Sequence, residues 1–212
     1  MTKLTWSAPE RNKQPILEVL QSVLPARGTL LELASGTGQH ALYFAQHLPG
    51  WIIQPSDVEP ENLASIEAHR RESALPNLLA PVQLDVAMAR WPVESASAIF
   101  NANLIHIAPW QVALDLFQGA ARHLAGGGQL IVYGPFKVGG AHTALTNQTF
   151  DESLRARDPR FGVRDLEAVV SVADSHGLAF HERVEMPANN QTLIFTRSAE
   201  SGQAVLVSEQ PR

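Results

Sequence analysis

The stretch Thr29-Leu30-Leu31-Glu32-Leu33-Ala34-Ser35-Gly36-Thr37-Gly38-Gln39-His40-Ala41 constrains this chain more than any other. It opens as a short apolar run typical of a buried strand, breaks at Ser35–Gly38, and resumes with helical spacing at Ala41, Leu42, Ala45 and Leu48. A strand that feeds a helix through a glycine-rich turn leaves backbone N–H groups, and room for a ligand, where side chains would otherwise stand. We read it as the nucleotide-binding turn of a doubly wound α/β domain. Gly36-x-Gly38-x-x-Ala41 equally fits a dinucleotide fingerprint, so the order of the following elements has to discriminate.

That order alternates. A helix is expected from Asn12–Pro15, with proline in its first turn, to about Leu24. A strand at 29–34, a helix at 39–48, a strand beginning at Trp51 and ending near Asp57, and a helix from Glu59 to about Ser73 follow. Further strands are predicted over 81–86 and 97–103, then a long amphipathic helix from Pro109 capped by Gly126-Gly127-Gly128, and a fifth strand over 129–134. The connections are too long for hairpins, which predicts a mostly parallel sheet. Residues 136–150 read as a loop, 151–157 as a short helix and 165–175 as another. Two final strands, 178–186 and 192–197, are joined so tightly that they should pair antiparallel. The expected architecture is a Rossmann-like seven-stranded sheet forming one domain over 1–197. Within it, 1–27 is an N-terminal helix or lid, 28–135 the ligand-binding core and 136–197 the acceptor side; 198–212 is a polar tail.

Composition narrows the function. At 212 residues the length suits a single α/β domain. The net charge is −5 and there is no Lys/Arg run, which argues against a surface built for duplex nucleic acid or anionic membrane. The absence of cysteine removes disulfide, thiolate and Cys–metal chemistry, and the histidines lack ligand spacing, so no metal is expected. No apolar run reaches membrane-spanning length and the first residues lack a signal-peptide core, so the expected location is cytoplasmic. The oligomeric state stays open.

Ligands of open α/β sheets bind beyond the carboxyl ends of the strands. There the chain carries Glu32, Asp57, Asp85, Asn101 and Asn103. Asp57 follows Gly36 by about twenty residues, the separation at which a carboxylate can receive a ribose diol; the plain alternative is a solvated aspartate. Asp85 could receive an exocyclic amino group such as adenine N6, or could be only a turn residue.

With those residues in view, Glu32-x-Ala34-x-Gly36-x-Gly38, Asp57, Asp85, the Leu124-x-x-Gly127-Gly128 approach and the terminal strand pair resemble a class I S-adenosylmethionine-dependent methyltransferase over about 28–197. One departure is Ala34, where that superfamily commonly has glycine. Glu10-Arg11-Asn12-Lys13-x-Pro15-Ile16, Pro55-Ser56-Asp57, Asn103-Leu104-Ile105-His106-Ile107-x-Pro109-Trp110, Tyr133-Gly134-Pro135-Phe136 and Met186-Pro187-Ala188-Asn189-Asn190 resemble the uncharacterised methyltransferase-like 26 family more narrowly. Its bacterial members are grouped as a domain of unknown function.

The resemblance implies S-adenosyl-L-methionine as cofactor and no settled substrate. It implies Asp57 at the ribose, Asp85 at the adenine amino group, the Val86 backbone beside the ring, and room for the ligand at Ala34, Gly36 and Gly38. Glu32 would order the turn, Asn101 would lie near the methionyl group, and Arg11 or Asn12 would meet its carboxylate. Tyr133, Phe136, Asn147, Asn189 and Asn190 would line the acceptor side. His106, just beyond strand four, is the candidate base, with a packing role as its alternative. The fourth strand ends without the Asn/Asp-Pro-Pro-aromatic motif of base-amine methylation, so a small molecule is the first expected acceptor and a protein side chain the second. A nicotinamide-dependent oxidoreductase and a non-catalytic cofactor-binding or interaction module are the competing readings.

Overall fold

The apolar run Leu30–Leu33 becomes an interior strand of a seven-stranded sheet in the computed structural model, which describes residues 3–199. In chain order the elements are α1 (Ser7–Val23), β1 (Gly28–Leu33), α2 (Gln39–His47), β2 (Trp51–Asp57), α3 (Pro60–Ser73), β3 (Val82–Gln83) and β4 (Ala96–Ala102). They continue with α4 (Trp110–His123), β5 (Leu124–Gly134), β6 (Phe136–Val138), β7 (Ala141–His142), α5 (Leu145–Arg157), β8 (Arg164–Asp165) and α6 (Leu166–Ser175). The chain ends with β9 (Leu178–Met186), a 3₁₀ turn Pro187–Asn189 and β10 (Asn190–Arg197). The large sheet runs β3-β2-β1-β4-β5-β10-β9. Only β10 is antiparallel to its neighbours, pairing with β5 on one side and β9 on the other.

Alternation along the central strands sends apolar side chains to both faces, as a sheet covered twice requires. Leu31, Leu33, Ile99, Leu130, Val132 and Phe195 pack with Leu116, Phe117 and Val169 of α4 and α6. Leu30, Ala98, Phe100, Ile131 and Ile194 pack against Ile16, Leu20 and Phe44 of α1 and α2. No helix among the described residues is long and apolar enough to cross a membrane.

Four local expectations are corrected. Helix α1 begins at Ser7, so Pro15 lies inside it rather than in its first turn. Proline removes one donor, to the Arg11 carbonyl, and burial of Ile16, Leu17, Val19 and Leu20 holds the helix together across that gap. The third strand is only Val82–Gln83. The Leu84 N–H still donates to the Asp57 carbonyl, but Asp85 then turns the chain by accepting the Ala87 N–H. Gly126–Gly128 lie inside β5 and do not cap α4, whose end is capped at Leu124. The expected loop 136–150 holds β6, β7 and the first turns of α5, and β6, β7 and β8 form a small second sheet. Strands of two and three residues carry no periodicity of their own. The central strand β6 pairs with β7 beside it and with β8, which lies far along the chain. The expected polar tail falls outside the described residues from position 200 onward.

Candidate functional site

The turn between β1 and α2 is stitched to the end of β2. The Ser35 N–H donates to the Ser56 carbonyl at 2.8 Å, and the Ser56 hydroxyl donates to the Glu32 carbonyl at 2.7 Å. The Gly36 N–H donates to Asp57 Oδ2 at 2.8 Å, while Asp57 Oδ1 accepts from the Glu59 N–H at 3.0 Å and the Asn62 amide at 3.1 Å. Three donors on a carboxylate with about four lone-pair sites leave one for a ligand hydroxyl.

Ala34 has φ +53°, a left-handed conformation that disfavours any side chain, and it is the exposed member of an otherwise buried turn. Its methyl therefore costs backbone strain, and a glycine would be at ease here. Gly36 and Gly38 have φ +56° and +87°. A Cβ on Gly38 would lie 2.8 Å from Ile66 of α3, and one on Gly36 would lie 2.7 Å from the indole of Trp6. Trp6, just before α1, thus covers the turn at Gly36. Its main chain is tied down by Gln39, which accepts from the Trp6 N–H at 2.7 Å and donates to the Trp6 carbonyl.

A cavity of about 740 Å³ opens at the ends of β4 and β5. Ala8, Arg11, Asn12 and Pro15, one helical face of α1, form one wall; Asn103, Tyr133 and Pro135 form the floor. Thr146, Asn147 and Phe150 of α5, with Pro187, Ala188 and Asn190, complete it. Arg11 is its single charged lining residue.

Of the residues expected from the sequence, Arg11, Asn12, Tyr133, Asn147 and Asn190 share this cavity. Asp57 stands at the β1–β2 turn, and Asp85 is exposed beyond β3 with Val86 buried behind it. Asn101 is fully buried at the end of β4, with neither amide atom partnered among the described residues. Glu32 is likewise buried, with Oε2 unpartnered and its carboxyl pushed up to about 8 by loss of water.

The other expected residues fall elsewhere. Phe136 lies wholly in the core, away from the cavity wall. Asn189 does not line the cavity; its amide braces Thr146, and its carbonyl accepts from Asn147 at 2.9 Å. His106 is also fully buried, edge-on to Phe136, and does not line the cavity. A Cβ on Gly134 would lie 2.4 Å from its Nε2, so the glycine exists to admit the imidazole. Burial pushes the His106 pKa down to about 3.

Sequence reasoning missed Trp6, His40, Thr146 and Phe150. The signal for His40 was an ionisable residue four positions before Phe44, on the inward face of α2. Among the described residues no group of three or more His, Cys, Asp or Glu side chains stands ready for a metal.

Strand order, antiparallel ending and a glycine turn facing an acidic strand end together define the α/β methyltransferase-like fold. Solved structures agree. An O-methyltransferase family protein from Burkholderia thailandensis superposes with TM-score 0.77 at 19% identity, over 91% of this chain and 58% of its own. Human N-acetylserotonin methyltransferase in complex with SAM gives 0.74 at 16%, over 91% and 53%. The methyltransferase of calicheamicin biosynthesis in its SAH-bound form gives 0.73 at 14%, over 90% and 55%. The chain thus spans somewhat more than half the length of these neighbours. Residues 3–197 match the family described as protein of unknown function DUF938, and the chain belongs to that family.

Proposed function

We propose that this chain is an S-adenosylmethionine-dependent methyltransferase acting on a small-molecule acceptor. One observation carries the reading: a strand-end carboxylate is bonded to the glycine-turn amide with one acceptor site to spare, and a cavity opens at the carboxyl ends of β4 and β5 of the same sheet. The fold neighbours include methyltransferases solved with SAM and with SAH, which supports the cofactor. The residues present fit it. Asn101 and Glu32 offer unpartnered polar atoms at the ends of β4 and β1, and the turn is exposed at Ala34. The likeness to the methyltransferase-like 26 family, read from motifs, belongs to the same proposal.

In this reading Asp57 holds the ribose hydroxyls, Asp85 the adenine amino group and the Val86 backbone the ring edge. Asn101 faces the methionyl portion, and Arg11 with Asn12 receives its carboxylate. When bound, the cofactor supplies an already activated methyl group. The protein's task is then to orient the acceptor and keep water away, and orientation alone contributes up to about 7–11 kcal/mol in well-aligned systems. Tyr133, Asn147 and Asn190 offer hydrogen bonds from three sides of the cavity, and Phe150 and the prolines offer apolar contact. A group with its pKa near 3 is a poor proton acceptor at neutral pH. We therefore assign His106 to supporting the β4 and β5 ends under Asn103 and Gly134.

The direct test is calorimetry of the folded protein with S-adenosylhomocysteine, with NADH as the competing ligand. Saturable binding of the first and none of the second is expected. Binding of NADH alone would transfer the turn to a dehydrogenase.

A further inference from the structure

Four side chains connect the glycine turn to the cavity. Glu32 Oε1 lies 3.7 Å from His40 Nδ1, His40 Nε2 lies 2.7 Å from Asn12 Oδ1, and Asn12 and Tyr133 line the same cavity. None of these groups is assigned a joint role by the reading above, on which this inference rests.

The directions of the bonds follow from what each atom can do. An amide oxygen only accepts, so His40 Nε2 must carry the proton. The imidazole is buried, stacked on Phe44 at 5.6 Å and edge-on to Phe100 at 6.0 Å, and burial together with the Lys13 charge lowers its pKa to about 4. It is therefore neutral, and Nδ1 is a bare acceptor turned toward Glu32. A Glu32 carboxyl held protonated by burial suits that neighbour, whereas an ionised one would face a lone pair. With its oxygen engaged by His40, Asn12 keeps both hydrogens of its NH₂ for other partners. A phenol oxygen that accepts from this NH₂ keeps its own hydrogen for the cavity that both residues line. Burial raises the Tyr133 pKa, so the hydrogen is present at neutral pH. Arg11, the lone charged residue of the wall, acts electrostatically on the same phenol and has no ion pair among the described residues.

We propose that Arg11 and Tyr133 form a recognition corner for a ligand carboxylate, and that His40 is a positioning residue which sets the Asn12 amide so that the phenol donates into the cavity. A guanidinium and a phenolic hydrogen facing a wall without acidic groups match an anion that accepts two hydrogen bonds. The carboxylate belongs either to the methionyl end of the cofactor or to the acceptor.

The experiment separates these sources. Nitrogen-15 spectra of the wild-type imidazoles at pH 7 should show His40 neutral with its proton on Nε2; a proton on Nδ1, or on both nitrogens, overturns the proposal. Calorimetry then compares S-adenosylhomocysteine with 5′-methylthioadenosine, which lacks the carboxylate, in wild type, Tyr133→Phe, His40→Leu and His40→Gln. A cofactor carboxylate predicts about 10–100-fold weaker S-adenosylhomocysteine binding in Tyr133→Phe and His40→Leu and unchanged methylthioadenosine binding. His40→Gln, which can still donate to Asn12, should recover most of the loss. An acceptor carboxylate predicts unchanged nucleoside binding. Benzoate should then bind the S-adenosylhomocysteine-saturated wild type and lose affinity in the same two variants. Unaltered affinity for both probes in Tyr133→Phe overturns the corner. Failure of the wild type to bind either nucleoside sinks the methyltransferase reading instead, while the His40 tautomer and benzoate titration of the unliganded wild type and the same two variants still judge the corner.

Discussion

Asp57 accepts the Gly36 N–H at 2.8 Å, and this one bond locks the glycine turn of β1 to the end of β2. The same carboxylate accepts the Glu59 N–H at the start of α3, so three successive elements converge on it. The residue proposed to hold the ribose is thus also the knot of the turn.

Replacing Asp57 should therefore do two things. Asp57→Ala strands two backbone donors and the Asn62 amide, and denaturant titration should show a loss of about 2–4 kcal/mol. Asp57→Asn keeps the shape but offers a donor where a ribose hydroxyl must donate. In that variant S-adenosylhomocysteine affinity should fall about tenfold or more with the fold intact by circular dichroism. Wild-type affinity in Asp57→Asn would remove this residue from the cofactor site.

Ala34→Gly relieves a left-handed alanine at φ +53°. The gain, net of the extra freedom glycine has when unfolded, should be about 0.5–1 kcal/mol, visible as a thermal midpoint a few degrees higher. A lower midpoint would show that the methyl makes a contact worth more than the strain.

Trp6 lies on Gly36 while half exposed, and the other tryptophans, Trp51, Trp91 and Trp110, stand away from the turn. Ligand arriving at the turn must displace or restack the indole. Titration with S-adenosylhomocysteine should change the tryptophan emission of wild type and leave that of Trp6→Phe nearly flat. An equal change in both proteins would place the ligand elsewhere.

Stability should peak near neutral pH for reasons that can be assigned. Glu32 has its carboxyl raised to about 8 from the usual 4.5, so its contribution is full below about 4.5 and is lost as the pH rises toward about 8. His40 and His106 are lowered to about 4 and about 3 from 6.5, so theirs is full above about 6.5 and is lost as the pH falls through those values. Glu32→Gln cannot ionise yet can still donate to His40. Its melting temperature should gain on wild type steadily between pH 5 and pH 8, and parallel curves would mean Glu32 is ionised in the fold.

His106→Ala opens a hole in a fully buried layer, and a loss of about 2–4 kcal/mol is expected. With the variant still folded, its S-adenosylhomocysteine affinity should match wild type. Once an acceptor is found, a methyl-transfer rate reduced about 10²–10⁴-fold at unchanged stability would restore the base role to this histidine.

The sequence alone established the alternation of strands and helices, the seven-stranded sheet, the glycine turn and the antiparallel ending. Each is written in local patterns: apolar runs of strand length, helical spacing in α4, glycines at 36 and 38, a hairpin-length connection after Met186. Single side chains at strand ends were legible too, because parallel strands deliver their carboxyl ends to one edge, which is how Asp57 could be matched to Gly36 across twenty residues. Tertiary structure alone decided the rest. It put Pro15 inside a helix, because burial on the α2 side outweighs one missing hydrogen bond. It moved Phe136 and His106 beneath the cavity floor, and it joined Glu32, His40, Asn12 and Tyr133 from four separate elements. Periodicity tells which face of an element is apolar. It does not tell which neighbour that face meets, and burial, pKa and hydrogen-bond direction are properties of that meeting.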